Sequence, residues 1–211
     1  MHSQKPTKGE CISFKGSGPV QWVTASCKTA YPGVSWTRSV CFAAGRILLL
    51  DRLFSKSKHT FDWVYHNYGK EKILQPESSA FAPFDLPGRN GYQHLQEALS
   101  AVTDKSVAVR FDLEKSGSVF LRAAGAPDTR VIVGRGPGNP ATEKLPALIL
   151  RRRGKEAYYG LCIELLPPGK EPQVREIRLK NEGAAVLLEL NTGRGAQVYE
   201  FGLDGAVSRM R

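Results

Sequence analysis

Apolar and β-branched residues come in short runs along this chain, and turn-forming residues interrupt the runs at close intervals. Gly (21 residues) and Pro (13) supply much of that punctuation. Runs this short predict many strands joined by turns rather than helices. Strands are expected over 10–15, 20–30, 35–43, 46–54, 58–67, 105–113, 117–124, 129–134, 147–153, 156–166, 173–180, 184–190 and 195–202. Hairpin turns are expected at Ala43-Ala44-Gly45-Arg46, Glu114-Lys115-Ser116-Gly117 and Arg153-Gly154-Lys155. Asn191-Thr192-Gly193-Arg194 and Leu203-Asp204-Gly205 read as two more, their Asn, Asp and Gly tolerating positive φ.

Ile47-Leu48-Leu49-Leu50 is apolar on both faces. A strand of that kind is covered on both sides, so the expected fold is an all-β, two-layer antiparallel sandwich. Val107, Val109 and Phe111 alternate with Ala108, Arg110 and Asp112, as in a strand with one wet face. Residues 92–101 fit a helix, with Leu95, Ala98 and Leu99 on one side, and a bordering strand equally well. Residues 75–91, rich in Pro, Ser and Gly, read as a long surface loop anchored by Phe81 and Phe84. One domain over 1–211 is expected.

Composition narrows the function. A chain of 211 residues that is 41% hydrophobic can bury an ordinary core. No run approaches the roughly 18 apolar residues of a membrane helix, and no membrane partner is expected. Met1-His2-Ser3-Gln4-Lys5-Pro6 lacks the apolar centre of a signal peptide, which points to the cytoplasm or to a true N-terminus further upstream. The net charge of +10 attracts polyanions such as acidic polysaccharide, anionic lipid or nucleic acid. The charge is scattered. Its densest cluster, Arg151-Arg152-Arg153 before Gly154-Lys155, reads first as the solvated basic end of a strand and second as a polyanion site. Nucleic acid is the weaker partner, because no RNP-like, zinc-finger or helix-turn-helix pattern accompanies the charge.

Cys11, Cys27, Cys41 and Cys162 have no CxxC spacing. Reduced, buried thiols are expected, with Cys27 and Cys41 inside apolar strands. His2, His59, His66 and His94 lack ligand spacing, so no metal site and no cofactor is expected. Gly134-Arg135-Gly136-Pro137-Gly138 lacks a Gly-Lys-Ser/Thr ending and reads as a loop.

The run His59–Gly69 is the strongest candidate surface. In an extended chain His59, Phe61, Trp63 and Tyr65 share one face, and Asp62, Val64, His66 and Tyr68 the other. Asp62 and His66 then lie about 13 Å apart, too far to act as a local pair. One reading is an aromatic core face with His66 bonded inside the sandwich; the other is a His–Tyr–Trp patch that binds sugar rings. Arg38 lies among Trp36, Val40 and Phe42, so its charge needs a partner. A turn centred on 44–45 sets Asp51 directly opposite. The alternative is that Arg38 clamps a substrate uronate or sulfate. The candidate substrate-binding residues are thus Arg38, His59, Trp63, Tyr65 and His66; no catalytic residue is assigned.

Several motifs carry a resemblance. Tyr31-Pro32-Gly33-Val34 leads through Arg38 into a strand, and Ile47-Leu48-Leu49-Leu50-Asp51 follows. Tyr65-His66-Asn67-Tyr68-Gly69 closes the next strand. Gln4-Lys5-Pro6-Thr7-Lys8-Gly9 precedes them. Leu148-Ile149-Leu150-Arg151-Arg152-Arg153-Gly154, then Tyr158-Tyr159-Gly160-Leu161 and Glu164 to Pro168, lie near the far end. Together they resemble the C-terminal part of the β-sandwich domain in heparinase II/III-like polysaccharide lyases. That resemblance implies an α/α-toroid catalytic domain as partner, β-elimination of acidic, uronate-containing polysaccharide such as glycosaminoglycan or alginate, and a periplasmic or secreted location for a full-length enzyme. The family's catalytic and zinc-holding residues precede the matched region, so none is carried over. The chain reads as a support and carbohydrate-contact module that is inactive alone, or as a stand-alone basic sandwich that binds polyanions.

Overall fold

A computed structural model describes residues 6–77 and 80–210 of the chain. Gln4 and Lys5 of the opening motif, His2, and Ser78 and Ser79 of the long loop lie outside the described residues.

Among the described residues there is no α-helix, and strands dominate. The chain opens with β1 (Glu10–Lys15), β2 (Val20–Tyr31), β3 (Val34–Ala43) and the long β4 (Arg46–His66). Next come β5 (Lys70–Gln75), β6 (Ala82–Pro83), β7 (Gln96–Thr103), β8 (Val107–Asp112) and β9 (Ser118–Ala123). They are followed by β10 (Thr129–Pro137) and a second long strand, β11 (Lys144–Leu166). β12 (Val174–Asn181), β13 (Ala185–Thr192), β14 (Gly195–Gly202) and β15 (Val207–Arg209) complete it. All pairings are antiparallel, and they make one eleven-stranded and one four-stranded sheet, the all-β sandwich expected.

The two-residue turns follow from their sequences. Pro32-Gly33 joins β2 to β3, with Gly33 at φ 72°, the positive value a type II turn needs at its third position. Ala44 and Gly45 both have positive φ, 50° and 72°, so the β3–β4 hairpin closes through a type I′ turn. That turn sets the register Ala43↔Arg46 through Val34↔Ser55 and places Arg38 opposite Asp51.

β4 and β11 form the spine. They pair from Arg46↔Glu164 to His66↔Ala147, with an irregularity where β4 residues 55–58 bulge opposite Lys155. The expected strands 46–54 and 58–67 left a break at Ser55-Lys56-Ser57, and Arg153-Gly154-Lys155 was expected as a hairpin turn. Both lie at this one bulge, and each strand continues through it: glycine and polar residues mark bulges as well as turns. Gly134–Pro137, expected as a loop, belongs to β10. Residues 92–101 hold a 3-10 turn at Tyr92–His94 and then β7, so the strand alternative prevails.

The other edge of β11 serves two branches. Its first part pairs with β10, which leads to β7 and β6; its last part pairs with β9, which leads to β8 and β5. The large sheet therefore encloses a core of its own, with Leu49, Trp63, Phe111, Leu121, Leu150 and Tyr159. The small sheet packs on the opposite face, where Leu48, Leu50, Cys41 and Cys162 meet Leu188, Tyr199 and Phe201. Leu49 faces one core and Leu48 and Leu50 the other, which is why that run is apolar throughout.

Candidate polyanion groove

β3 leaves β4 at Ser55, so from Lys56 onward β4 is paired along one edge only, with β11. A groove of about 880 Å³ runs along this part of β4. Its walls are β4 residues 58–66, the β2–β3 turn at Tyr31 and Pro32, the segment Arg89–Leu95, and Arg153 of β11.

Alternation along β4 sets Asp62, Val64 and His66 on one face and His59, Phe61 and Trp63 on the other, and the groove takes lining from both, with His59 and Phe61 from the second. Phe61 and Trp63 are 6% and 5% exposed and point into the core, where Trp63 stacks on Tyr65 with ring centroids 5.8 Å apart. Asp62, Val64 and His66 point the other way. Of the candidate sugar-contact residues, Trp63 is a core residue, and Tyr65 is half-buried beside Phe111 with its hydroxyl accepting from Asn67. Neither presents a ring face to the groove. Here the aromatic-core reading holds. For His66 it does not: the residue is exposed on the groove wall, its ring over Gly136, where an added Cβ would lie 2.7 Å from Cε1. Partial desolvation holds its imidazole below its ordinary pKa. His59 also lines the groove, hydrogen-bonded to Ser57 at 3.1 Å.

Arg38 is elsewhere, midway along β3. It donates to both carboxylate oxygens of Asp51, at 2.7 and 2.6 Å, and stacks on Trp36. Trp36 Nε1 donates to Asp51 as well. The internal pair is therefore the one formed, and Arg38 is not among the groove residues.

The floor is locked by Asp62. Arg151, its direct cross-strand neighbour, donates to both of its oxygens at 2.8 and 2.7 Å, and the Tyr92 hydroxyl donates to Oδ2. Arg151 also lies over the rings of Tyr92 and Phe84. This pins residues 84–95 onto the sheet, so Phe84 anchors the long loop as expected. Burial, then the Asp62 carboxylate, hold the Tyr92 hydroxyl protonated well above the usual phenol range.

The arginine run expected to be solvated divides three ways. Arg151 is spent on Asp62. Arg152 is 8% exposed, donating to Thr129 and to the carbonyls of Ala124 and Tyr158. Only Arg153 is exposed, and it faces the groove. With Lys58 and Arg89 it makes three lining cations, and among the described residues none has an acidic partner. Among the lining residues Asp62 is the one carboxylate. The groove thus carries uncompensated positive charge beside aromatic and aliphatic surface, a combination suited to an anionic chain. Sequence reading missed Lys58, Arg89 and His94, and held Arg153 only as part of the arginine run whose second reading was a polyanion site. They meet only through the long-range β4–β11 pairing and the docked loop.

This geometry defines an antiparallel β-sandwich with a basic groove. No protein-family model and no curated protein matches the chain. Solved structures do. The chain is similar to the heparan sulfate lyase HepC from Pedobacter heparinus, with a TM-score of 0.65 and 16% identity over 95% of this chain and 29% of that one. It is also similar to two heparinase III structures, at TM-scores of 0.67 and 0.66 with 13% and 9% identity, again over 95% of this chain and 28% of theirs. The resemblance read from the motifs holds at the level of fold. The chain spans under a third of the length of each of these proteins.

Proposed function

We propose that the chain is the C-terminal β-sandwich module of a polysaccharide lyase of the heparinase II/III type. The groove along β4 holds acidic, uronate-containing polysaccharide, while the β-elimination chemistry belongs to an α/α-toroid domain. A periplasmic or secreted setting fits that role. The observation that carries the reading is the cluster Lys58, Arg89 and Arg153, three groove cations without an acidic partner among the described residues, on a fold similar to that of heparan sulfate lyases. Sulfate and carboxylate groups on a polysaccharide are natural counter-charges for such a site. A stand-alone polyanion binder, nucleic acid included, is the second reading, favoured by the net charge of +10.

The test pairs binding with turnover. Heparan sulfate should bind the chain, and Lys58→Glu with Arg153→Glu should weaken binding at least tenfold, because each reversal puts a like charge against the ligand. Incubation with heparan sulfate, heparin, chondroitin or alginate should give no rise in unsaturated-uronate absorbance. A rise from the chain alone would refute the non-catalytic role. Binding of single-stranded DNA more tightly than heparan sulfate would favour the second reading.

A further inference from the structure

The histidines of this chain look scattered in sequence, yet His59, His66 and His94 all line the same groove. They arrive from different places. His59 and His66 sit at the two ends of the groove-lining stretch of β4, and His94 comes from the loop that Tyr92 pins down through Asp62. The charged and titratable groups facing them are few. From β4 come Lys58 and Asp62; from the loop, Arg89 and Tyr92; from β11, Arg153; and from the β2–β3 turn, Tyr31. Asp62 is neutralised by Arg151. The Tyr31 and Tyr92 hydroxyls are both held above the usual phenol range, chiefly by burial, so neither carries charge near neutrality.

Resting on the polysaccharide-binding reading above, we infer that these three histidines make the groove a pH-graded binder, which holds anionic polysaccharide more tightly as the medium turns mildly acidic. Near pH 7.5 the groove's free positive charge is that of Lys58, Arg89 and Arg153. Histidine is the side chain that gains charge in mildly acidic medium, so acidification to pH 5.5 adds up to three further charges to the groove. Uronate carboxylates titrate at about 3–4, as α-carboxyls do, so the ligand's charge stays constant over this window. An exposed charge pair contributes roughly a 1.4- to fivefold gain in affinity, so three imidazoles together supply about threefold or more. Partial desolvation lowers the His66 pKa, which extends the response to the acidic side.

The experiment is calorimetric titration of the whole chain with a heparan sulfate oligosaccharide at pH 5.5 and 7.5, at one fixed ionic strength. The quantity read is the ratio of the two association constants. The wild-type ratio should be about three or more. His59→Gln, His66→Gln and His94→Gln should each lower it, and the triple variant should bring it to about one. Circular dichroism at both pH values checks that each variant is folded, and the single variants carry the test should the triple one unfold. Binding with a wild-type ratio near one overturns the inference and leaves the binding reading standing. A triple variant that keeps the wild-type ratio also overturns it. Absence of binding at both pH values removes the polysaccharide reading and this inference with it.

Discussion

Asp51 and Arg38 form one ion pair from two unlike positions. The Asp51 side chain is 2% exposed and the Arg38 side chain 40%. Removing Arg38 strands a buried carboxylate whose remaining side-chain donor among the described residues is the Trp36 indole. Removing the charge of Asp51 merely frees an arginine that can turn toward water. Arg38→Met should therefore cost about 2–4 kcal/mol and Asp51→Asn about 1–2 kcal/mol, with the double variant recovering part of the larger loss. Urea unfolding of the double-mutant cycle measures this. Equal single costs with no coupling would mean that the pair does not hold the hairpin. In the turn of the same hairpin, Ala44 occupies a left-handed conformation at φ 50°. Ala44→Gly should raise stability by about 1 kcal/mol, since glycine adopts that conformation without the Cβ penalty. Unchanged or reduced stability would show that Ala44 is not strained.

At the scale of elements, what the sequence made legible was local. The β3–β4 register followed from one turn, and the double-faced burial of Ile47–Leu50 from one apolar run. The continuity of β4 and β11 was not legible, because Ser55–Ser57 and Arg153–Lys155 look like ends until each is seen opposite the other. Nor were all the thiols placed correctly: Cys27 is half-exposed and Cys11, in the edge strand β1, is exposed, while Cys41 and Cys162 are buried. The groove stayed hidden for the same reason as the bulge, since Asp62 and Arg151 are 89 residues apart in sequence. A second long-range link joins the two sheets. Glu164, at the end of β11, accepts from Arg46 Nε at 3.2 Å and from the backbone N–H groups of Gln173 and Val174, both at 3.1 Å, at the start of β12. Glu164 and Arg46 are 4% and 5% exposed. Glu164→Gln leaves Arg46 without its carboxylate and presents an amide donor where an acceptor is needed. It should cost about 3–5 kcal/mol and raise hydrogen exchange in β12–β15 more than in β4 or β10. Unchanged exchange in β12–β15 would show that this link does not dock the small sheet.

At the scale of the whole molecule, ionisable groups are sealed into the contact between the two sheets. Cys41, Leu48 and Cys162 are successive cross-strand neighbours on the face that meets the small sheet. Burial raises the Cys41 thiol from the ordinary 9.0 to about 11, and burial with the nearby Glu164 raises Cys162 to about 12. Tyr199, in the same core, is raised as well, chiefly by burial. Each folded-state pKa lies above its unfolded value, so the folded chain holds these protons more tightly than the unfolded one. Their contribution to stability is complete below pH 9 and is lost as the pH climbs toward 11 for Cys41 and 12 for Cys162. Within that window each group costs up to about 1.4 kcal/mol per pH unit. Urea midpoints should therefore be level from pH 7 to about 8.5 and fall steeply by pH 10.5. Cys41→Ala and Cys162→Ala each remove a methylene-sized volume and lower stability at every pH, but they should flatten the alkaline slope, because the titrating proton is gone. A slope unchanged in both variants would place the alkaline sensitivity in other groups and show that the thiols between the sheets do not govern it.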